Sequence, residues 1–290
     1  MNSSHEQGVT TIATGGAVNN GLSAAVDLSS ISTKKVTLPG GERSLGFTCP
    51  FRLLVTGSTS CGKSRLIAQL LQHRARLFDR DFVSISYYYP TNSRTPSRSI
   101  YIEGLVESCP DLRVREGFPN IDELAQEEVE AGGHRLIVVD DLYSVAVNHE
   151  GFEHLLQIHS HHSRISLICT SQNTFQQGRS SVSILRNYSD FIVFDSLQQR
   201  QALALLGRQL FPGHGWLLTQ AMAWLRNHLA AGRPDQRYLW VDCHPSSTLP
   251  DFLRVRSRLI PYSDSGSGDN CNKNDAEDWF QLVFAPAAAE

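Results

Sequence analysis

Along the middle of the chain, short runs of β-branched and aromatic residues alternate with stretches whose apolar residues recur at helical spacing. The runs Phe51–Thr56, Phe82–Tyr89, Arg135–Asp140, Ile165–Ser171, Asp190–Asp195 and Tyr238–Asp242 predict strands. Between them, Ser64–Leu77 sets Leu66, Ile67, Leu70 and Leu71 on one helical face, and Glu150–His161 does the same with Phe152, Leu155, Leu156 and Ile158. Several of the strand runs are apolar at consecutive positions, so both of their faces need cover. Helices on either side of a mostly parallel central sheet supply it, and the pattern predicts a three-layer α/β fold. No segment repeats at a period of about 20 to 50 residues, which excludes solenoids and propellers.

The pattern fades at both ends. Residues 1–46 are rich in Ser, Gly, Thr, Asn and Ala, bury too little to offset the entropy of ordering, and predict a flexible arm. Residues 47–262 form the folded domain, and 263–290 form an acidic tail in which six acids face Lys273 alone, a charge of −5. The arm balances at zero, so the domain carries +2 within the formal total of −3. Trp279, Phe280, Leu282, Val283 and Phe284 form an apolar patch in the tail that docks on a partner, docks on the parent domain or stays disordered. Composition, with 41% hydrophobic and 19% charged residues, excludes a wholly disordered, collagen-like or coiled-coil chain. The charge excludes a polycation that binds nucleic acid in bulk, so any such contact needs a local patch. Six cysteines without a CxxC pair, and no charged-then-apolar leader, point away from a secreted disulfide scaffold and toward a reducing, intracellular compartment. No apolar run approaches the ~18 residues that cross a bilayer, so the expected protein is soluble and has no membrane partner.

The strongest local signal is Gly57-Ser58-Thr59-Ser60-Cys61-Gly62-Lys63-Ser64, a full match to G-x-x-x-x-G-K-[ST], set between a predicted strand and a predicted helix. In that context the eight residues form a cradle of backbone N–H groups for the phosphates of ATP at the positive end of a helix. Lys63 then bridges the β and γ phosphates, and the Ser64 hydroxyl is a ligand for Mg²⁺. Cys61 is a small residue of the loop; a redox role for it has no resolving partner in the sequence. The apolar strand Leu136–Val139 ends in Asp140 and Asp141, the acids such a site needs opposite the loop. Because side chains alternate along a strand, Asp140 is expected to hold Mg²⁺ and Asp141 to act on the attacking water. A helix cap or turn is the plainer use of an Asp-Asp pair. The run Ile165–Ser171 ends in Gln172 and Asn173; an amide beside the γ phosphate orients the water, which makes Gln172 the sensor candidate and Asn173 the second, unless both cap the loop. Arg179 and Arg186 follow, and either can offer a guanidinium to a neighbouring subunit's γ phosphate or serve as an ordinary surface residue.

With these elements in this order, the chain resembles P-loop ATPases of the additional-strand, RecA-like type in the FtsK and HerA branch. More narrowly, it is similar to the poxvirus-type genome-packaging ATPases of large DNA viruses and Polinton (Maverick) elements. The resemblance spans about Phe51 to Pro261 through RLLVTGSTSCGKS, LIVVDDLYS, ICTSQNTFQQG, RNYSDFIVF, RQALALLGRQLFPG and YLWVDCHPSS followed by RVRSRLIP. The later segments are the more telling, since many ATPases share the first two. The likeness implies an oligomeric ring that drives double-stranded DNA into a capsid with ATP and Mg²⁺, a capsid protein as a partner, and a place in a host nucleus, cytoplasm or virion. It also implies that Lys63 and Ser64 bind nucleotide and metal, that Asp140 and Asp141 are the paired acids, and that Gln172 is the sensor. Many related ATPases have Glu where Asp141 stands, and a shorter base must sit closer to its water.

Two basic features remain. Arg254, Arg256 and Arg258 recur at every second residue, so an extended segment would line one face with arginines, suited to a phosphate backbone, an acidic neighbour or a solvated edge strand. Pro90–Arg98 predicts a polar, proline-bearing loop that either reaches into a ring's pore or decorates the surface. An alternative to the motor is a nucleotide-gated assembly or signalling protein in which ATP binding orders a partner surface. A P-loop kinase is disfavoured because no Arg-rich lid insert is evident.

Overall fold

The computed structural model describes residues 35–38, 41–44, 46–91, 96–126, 133–175, 185–228, 237–249, 254–257 and 281–282. Among the described residues, nine strands make one sheet: β3 (Arg52–Thr56), β4 (Phe82–Tyr89), β5 (Leu112–Glu116), β6 (His134–Val139), β7 (Ile165–Ser171), β8 (Asp190–Phe194), β9 (Tyr238–Asp242), β10 (Val255–Ser257) and β11 (Gln281–Leu282). Their spatial order is β11-β10-β9-β8-β3-β7-β6-β4-β5. The six strands from β8 to β5 pair in parallel, and β9, β10 and β11 add antiparallel.

The run of apolar residues on each central strand divides between two cores. Leu53, Val55, Leu136, Val138 and Ile168 face one side, where helix α1 (Lys63–Gln72) packs with Leu66, Ile67, Leu70 and Leu71. Leu54, Ile137, Val139, Leu167 and Cys169 face the other, against Phe152, Leu155 and Leu156 and against the helices Arg200–Leu210 and Leu217–His228. This is the three-layer α/β fold expected from the pattern. Between the phosphate-loop strand β3 and the acid-ended strand β6 lies β7, which is the additional-strand, RecA-like arrangement of P-loop proteins. The C-terminal ends of β3, β6 and β7 consequently meet at one edge of the sheet, where open α/β sheets hold their ligands.

The helix expected over Ser64–Leu77 breaks at His73 into Lys63–Gln72 and Arg74–Leu77; four further features depart from expectation. Lys35–Leu38 (β1) and Gly41–Ser44 (β2) pair as an antiparallel hairpin inside the stretch expected to be an arm. The helix Pro96–Ser108 begins within the expected loop, since proline, having no N–H to lose, suits a first helical position; residues 92–95 lie outside the described residues. The regular helix expected over Glu150–His161 is interrupted by a π turn at Leu155–His159. Here the Leu156 carbonyl accepts from the Ser160 hydroxyl at 2.7 Å and from the Arg52 guanidinium of β3 at 3.1 Å.

The fourth is the arginine face, which does not form. Arg256 is 1% exposed, sits 3.7 Å above the Trp240 ring and pairs with Asp242 at 3.2 Å. Arg254 donates to the carbonyls of Leu249 and Ser247, and Arg258 lies outside the described residues. Nor is β10 an edge, because Gln281 and Leu282 of the tail pair with Ser257 and Arg256. The cause is the buried carboxylate of Asp242, which needs a positive charge beside it.

The five cysteines among the described residues are free. No helix among those residues is long and apolar enough to cross a membrane.

Candidate functional site

The loop from Gly57 to Ser64 leaves β3 and enters α1 through two left-handed residues, Ser60 (φ 64°) and Gly62 (φ 105°), the second of which caps the helix. Gly62 is the residue for that cap because a side chain there would strain the backbone. Gly57 is required for a different reason, close packing: a Cβ would lie 2.5 Å from the Cys61 sulfur and 2.7 Å from the Phe194 Cβ. Cys61 is thereby a packing residue. Burial pushes its thiol pKa up, against the opposing pull of Lys63, which leaves little thiolate for redox chemistry. The Lys63 ammonium donates to the carbonyls of Gly57 at 2.7 Å and Ser58 at 3.0 Å.

Asp140 follows β6 and is 2% exposed. Its Oδ2 accepts from the Ser64 hydroxyl at 3.1 Å and from the Tyr87 hydroxyl at 2.5 Å, and its Oδ1 accepts from Thr170 at 2.7 Å. The loop and the acidic strand, 76 residues apart in sequence, are therefore in direct contact. Ser64 and Asp140 offer two hard oxygen donors to a single point, the chemistry a Mg²⁺ ion takes, while Tyr87 and Thr170 fix the carboxylate behind it. Tyr101, on the helix Pro96–Ser108, donates to the Ser64 carbonyl and holds that turn from above.

Asp141 does not part from Asp140 by strand alternation, as the sequence suggests. It lies past the strand end at φ 60°, a left-handed conformation that Asp tolerates, and its carboxylate is exposed. Its N–H donates to Thr170 Oγ1 at 2.7 Å, so one hydroxyl positions both acids. Gln172 Nε2 donates to Asp141 Oδ1 across 3.4 Å, bringing the expected sensor to the expected base. These groups border a polar pocket of about 240 Å³ lined by Asp141, Tyr143, Ser144 and Thr170–Asn173. Asn173 is exposed beside Gln172, its N–H and carbonyl both bonded to the Ser171 hydroxyl.

Arg186 is exposed on the turn ahead of β8. Since β8 runs parallel to β3, with Asp190 beside Leu53, this turn lies at the edge of the sheet opposite the phosphate loop, roughly one strand length (~17 Å) away. Arg186 is not brought to its own chain's site, and Arg179 lies outside the described residues. Sequence reasoning did not find Tyr87, Thr170, Thr174 or Gln199. Tyr87 and Thr170 stand near the C-terminal ends of strands beside β6, a position that could have drawn attention to them; Gln199 carries no local signal.

No protein-family model matches the chain, and no curated protein matches it. Among solved structures it is similar to the genome packaging NTPase B204 from Sulfolobus turreted icosahedral virus 2, in complex with sulfate, at 14% identity and a TM-score of 0.41, over 67% of this chain and 91% of that one. It is also similar to EssC (ATPases 2 and 3) from Geobacillus thermodenitrificans, at 14% identity and a TM-score of 0.42, over 67% of this chain and 38% of the other. The flagellar accessory protein FlaH from Methanocaldococcus jannaschii gives 16% identity and a TM-score of 0.36, over 51% and 72%. The architecture and site of this chain rest on its own geometry.

Proposed function

We propose that the chain is a Mg²⁺-dependent ATP hydrolase that acts as an oligomeric translocase of double-stranded DNA in virus-like genome packaging. The observation that carries the hydrolase reading is the contact between Ser64 and Asp140, which joins the phosphate loop to a buried acid with an exposed acid next in sequence. The packaging reading is supported by the order of motifs from the phosphate loop to YLWVDCHPSS.

In this mechanism the N–H groups of Ser58 to Ser64 cradle the triphosphate at the start of α1, and Lys63 turns from the loop carbonyls to the β and γ phosphates. Ser64 and Asp140 would hold Mg²⁺, which neutralises charge on the phosphate oxygens. Asp141 accepts a proton from the attacking water, and Gln172, in contact with Asp141, orients that water. Arg186, on the opposite sheet edge, can act only on a neighbouring copy, as a ring would require.

Steady-state ATP turnover tests both levels. Hydrolysis is expected to require Mg²⁺ and to rise several-fold with duplex DNA at low salt, the stimulation fading as salt screens the DNA phosphates. If duplex DNA leaves turnover unchanged at salt concentrations where it binds, the translocase reading fails and the nucleotide-gated alternative takes its place.

A further inference from the structure

Behind the site runs a chain of buried side chains that the mechanism above does not use. Thr56, the last residue of β3 before Gly57, lies 3.0 Å hydroxyl to hydroxyl from Thr174. Thr174 Oγ1 lies 3.0 Å from Gln199 Oε1, and Gln199 Nε2 lies 2.5 Å from the backbone carbonyl of Gln172. Thr56 and Thr174 are fully buried and Gln199 is 3% exposed, so water does not substitute for any of these partners.

The direction of each bond follows from donor counting. A backbone carbonyl only accepts, so the Gln199 group facing Gln172 must be its NH₂, which leaves its oxygen facing Thr174. Thr174 spends its one proton on that oxygen, and the Thr56 hydroxyl must then donate to Thr174. The result is a single directed path from the root of the phosphate loop, through the loop after β7, to the 3₁₀ turn Leu197–Gln199 and back to the backbone of Gln172. The N–H of Gly57 also donates to the Ser171 carbonyl at 3.1 Å, which ties the same two segments by their main chains.

Resting on the ATP-hydrolase reading, we infer that Gln199 is a positioning residue for hydrolysis: it pins the Gln172 carbonyl, and with it the aim of the Gln172 amide at Asp141, to the root of the phosphate loop. Nucleotide binding uses the loop itself, so Gln199 acts on turnover and leaves affinity alone.

The test compares kcat and the dissociation constant for ATP in Gln199→Leu, Gln172→Ala and the double variant, with melting temperature recorded for each. Gln199→Leu is expected to lower kcat roughly 10- to 100-fold, the cost of a small misplacement of a reacting group, with the dissociation constant changed less than about two-fold. In the Gln172→Ala background the same substitution is expected to lower kcat no further, because Gln199 acts through Gln172. Should Gln199→Leu fail to fold, Thr174→Val breaks the same path and Thr174→Ser restores its rate. A multiplicative loss in the double variant, or a fall in melting temperature with kcat unchanged, overturns the positioning role while the hydrolase reading stands. A wild-type protein that binds ATP without hydrolysing it overturns both.

Discussion

On the proposed reading, Lys63 and Asp141 divide binding from chemistry. Lys63 is a flexible cation inside the loop, whereas Asp141 is an exposed carboxylate held by a left-handed backbone and by Gln172. Lys63→Ala is expected to weaken ATP binding roughly 10- to 100-fold, the worth of about 1.5–3 kcal/mol for hydrogen bonds to a charged group. Asp141→Asn is expected to leave binding intact and lower kcat by about 10²- to 10⁴-fold, the usual contribution of a general base. Titration with a fluorescent ATP analogue alongside phosphate release separates the two, and an equal loss of affinity in both variants contradicts the division. At this scale the phosphate loop was legible in the sequence because its chemistry is local: glycines, lysine and serine act within eight consecutive residues. Tyr87, Thr170 and Gln199 were not, since each matters only through a partner 53, 30 or 27 residues away, and a lone Tyr, Thr or Gln announces nothing.

Strands β8, β9 and β10 illustrate what changes at the scale of elements. Their shared interior holds Asp190, Asp242, Trp240 and Arg256; the Asp190 carboxylate accepts from Trp240 Nε1 at 3.0 Å and from the Ser189 hydroxyl at 2.7 Å. Burial, reinforced by the neighbouring Asp242 carboxylate, raises the Asp190 pKa to about 7, whereas burial lowers that of Arg256 to about 10. An acid whose folded pKa exceeds its unfolded value binds more protons folded than unfolded between the two, so its contribution to stability falls as pH rises from about 4 to 7. Asp190→Asn removes that titration while keeping an acceptor for Trp240. Relative to the wild type, the variant is expected to gain melting temperature steadily as pH is raised through this window, and thermal unfolding at several pH values reads the difference. A constant offset across the window contradicts the assignment. The every-second-residue arginines misled because alternation states which residues share a face and is silent on which face is inside. A buried carboxylate supplied by β9 decided that Arg256 turns inward.

Charge is unevenly divided over the whole molecule, with −5 after residue 262 and +2 in the domain before it. Gln281 and Leu282 pair with β10, so the acidic segment is tethered to the sheet at that point. If duplex DNA is the partner, deleting residues 263–290 removes a competing polyanion. The truncated chain is expected to bind duplex DNA several-fold more tightly at low salt, with the gain shrinking as salt is raised, measured by fluorescence anisotropy. The three-layer architecture was legible from end to end of the domain, because strands that are apolar on both faces have few other ways to be covered. The hairpin at Lys35–Leu38 and Gly41–Ser44 escaped notice, each strand being four residues long and set in polar sequence, whereas β10 falls in the segment weighed as extended and β11 in the apolar patch weighed as docking on the parent domain. The sequence alone determined the class of fold and the phosphate loop, for both are written in neighbouring residues and in the periodicity of burial. Tertiary structure decided the rest: that β7 separates the loop strand from the acid strand, that Ser64 nonetheless meets Asp140, and that Arg256 is a core counter-charge. Those outcomes depend on which distant strands become neighbours, and that is settled only when all the buried polar groups find partners together.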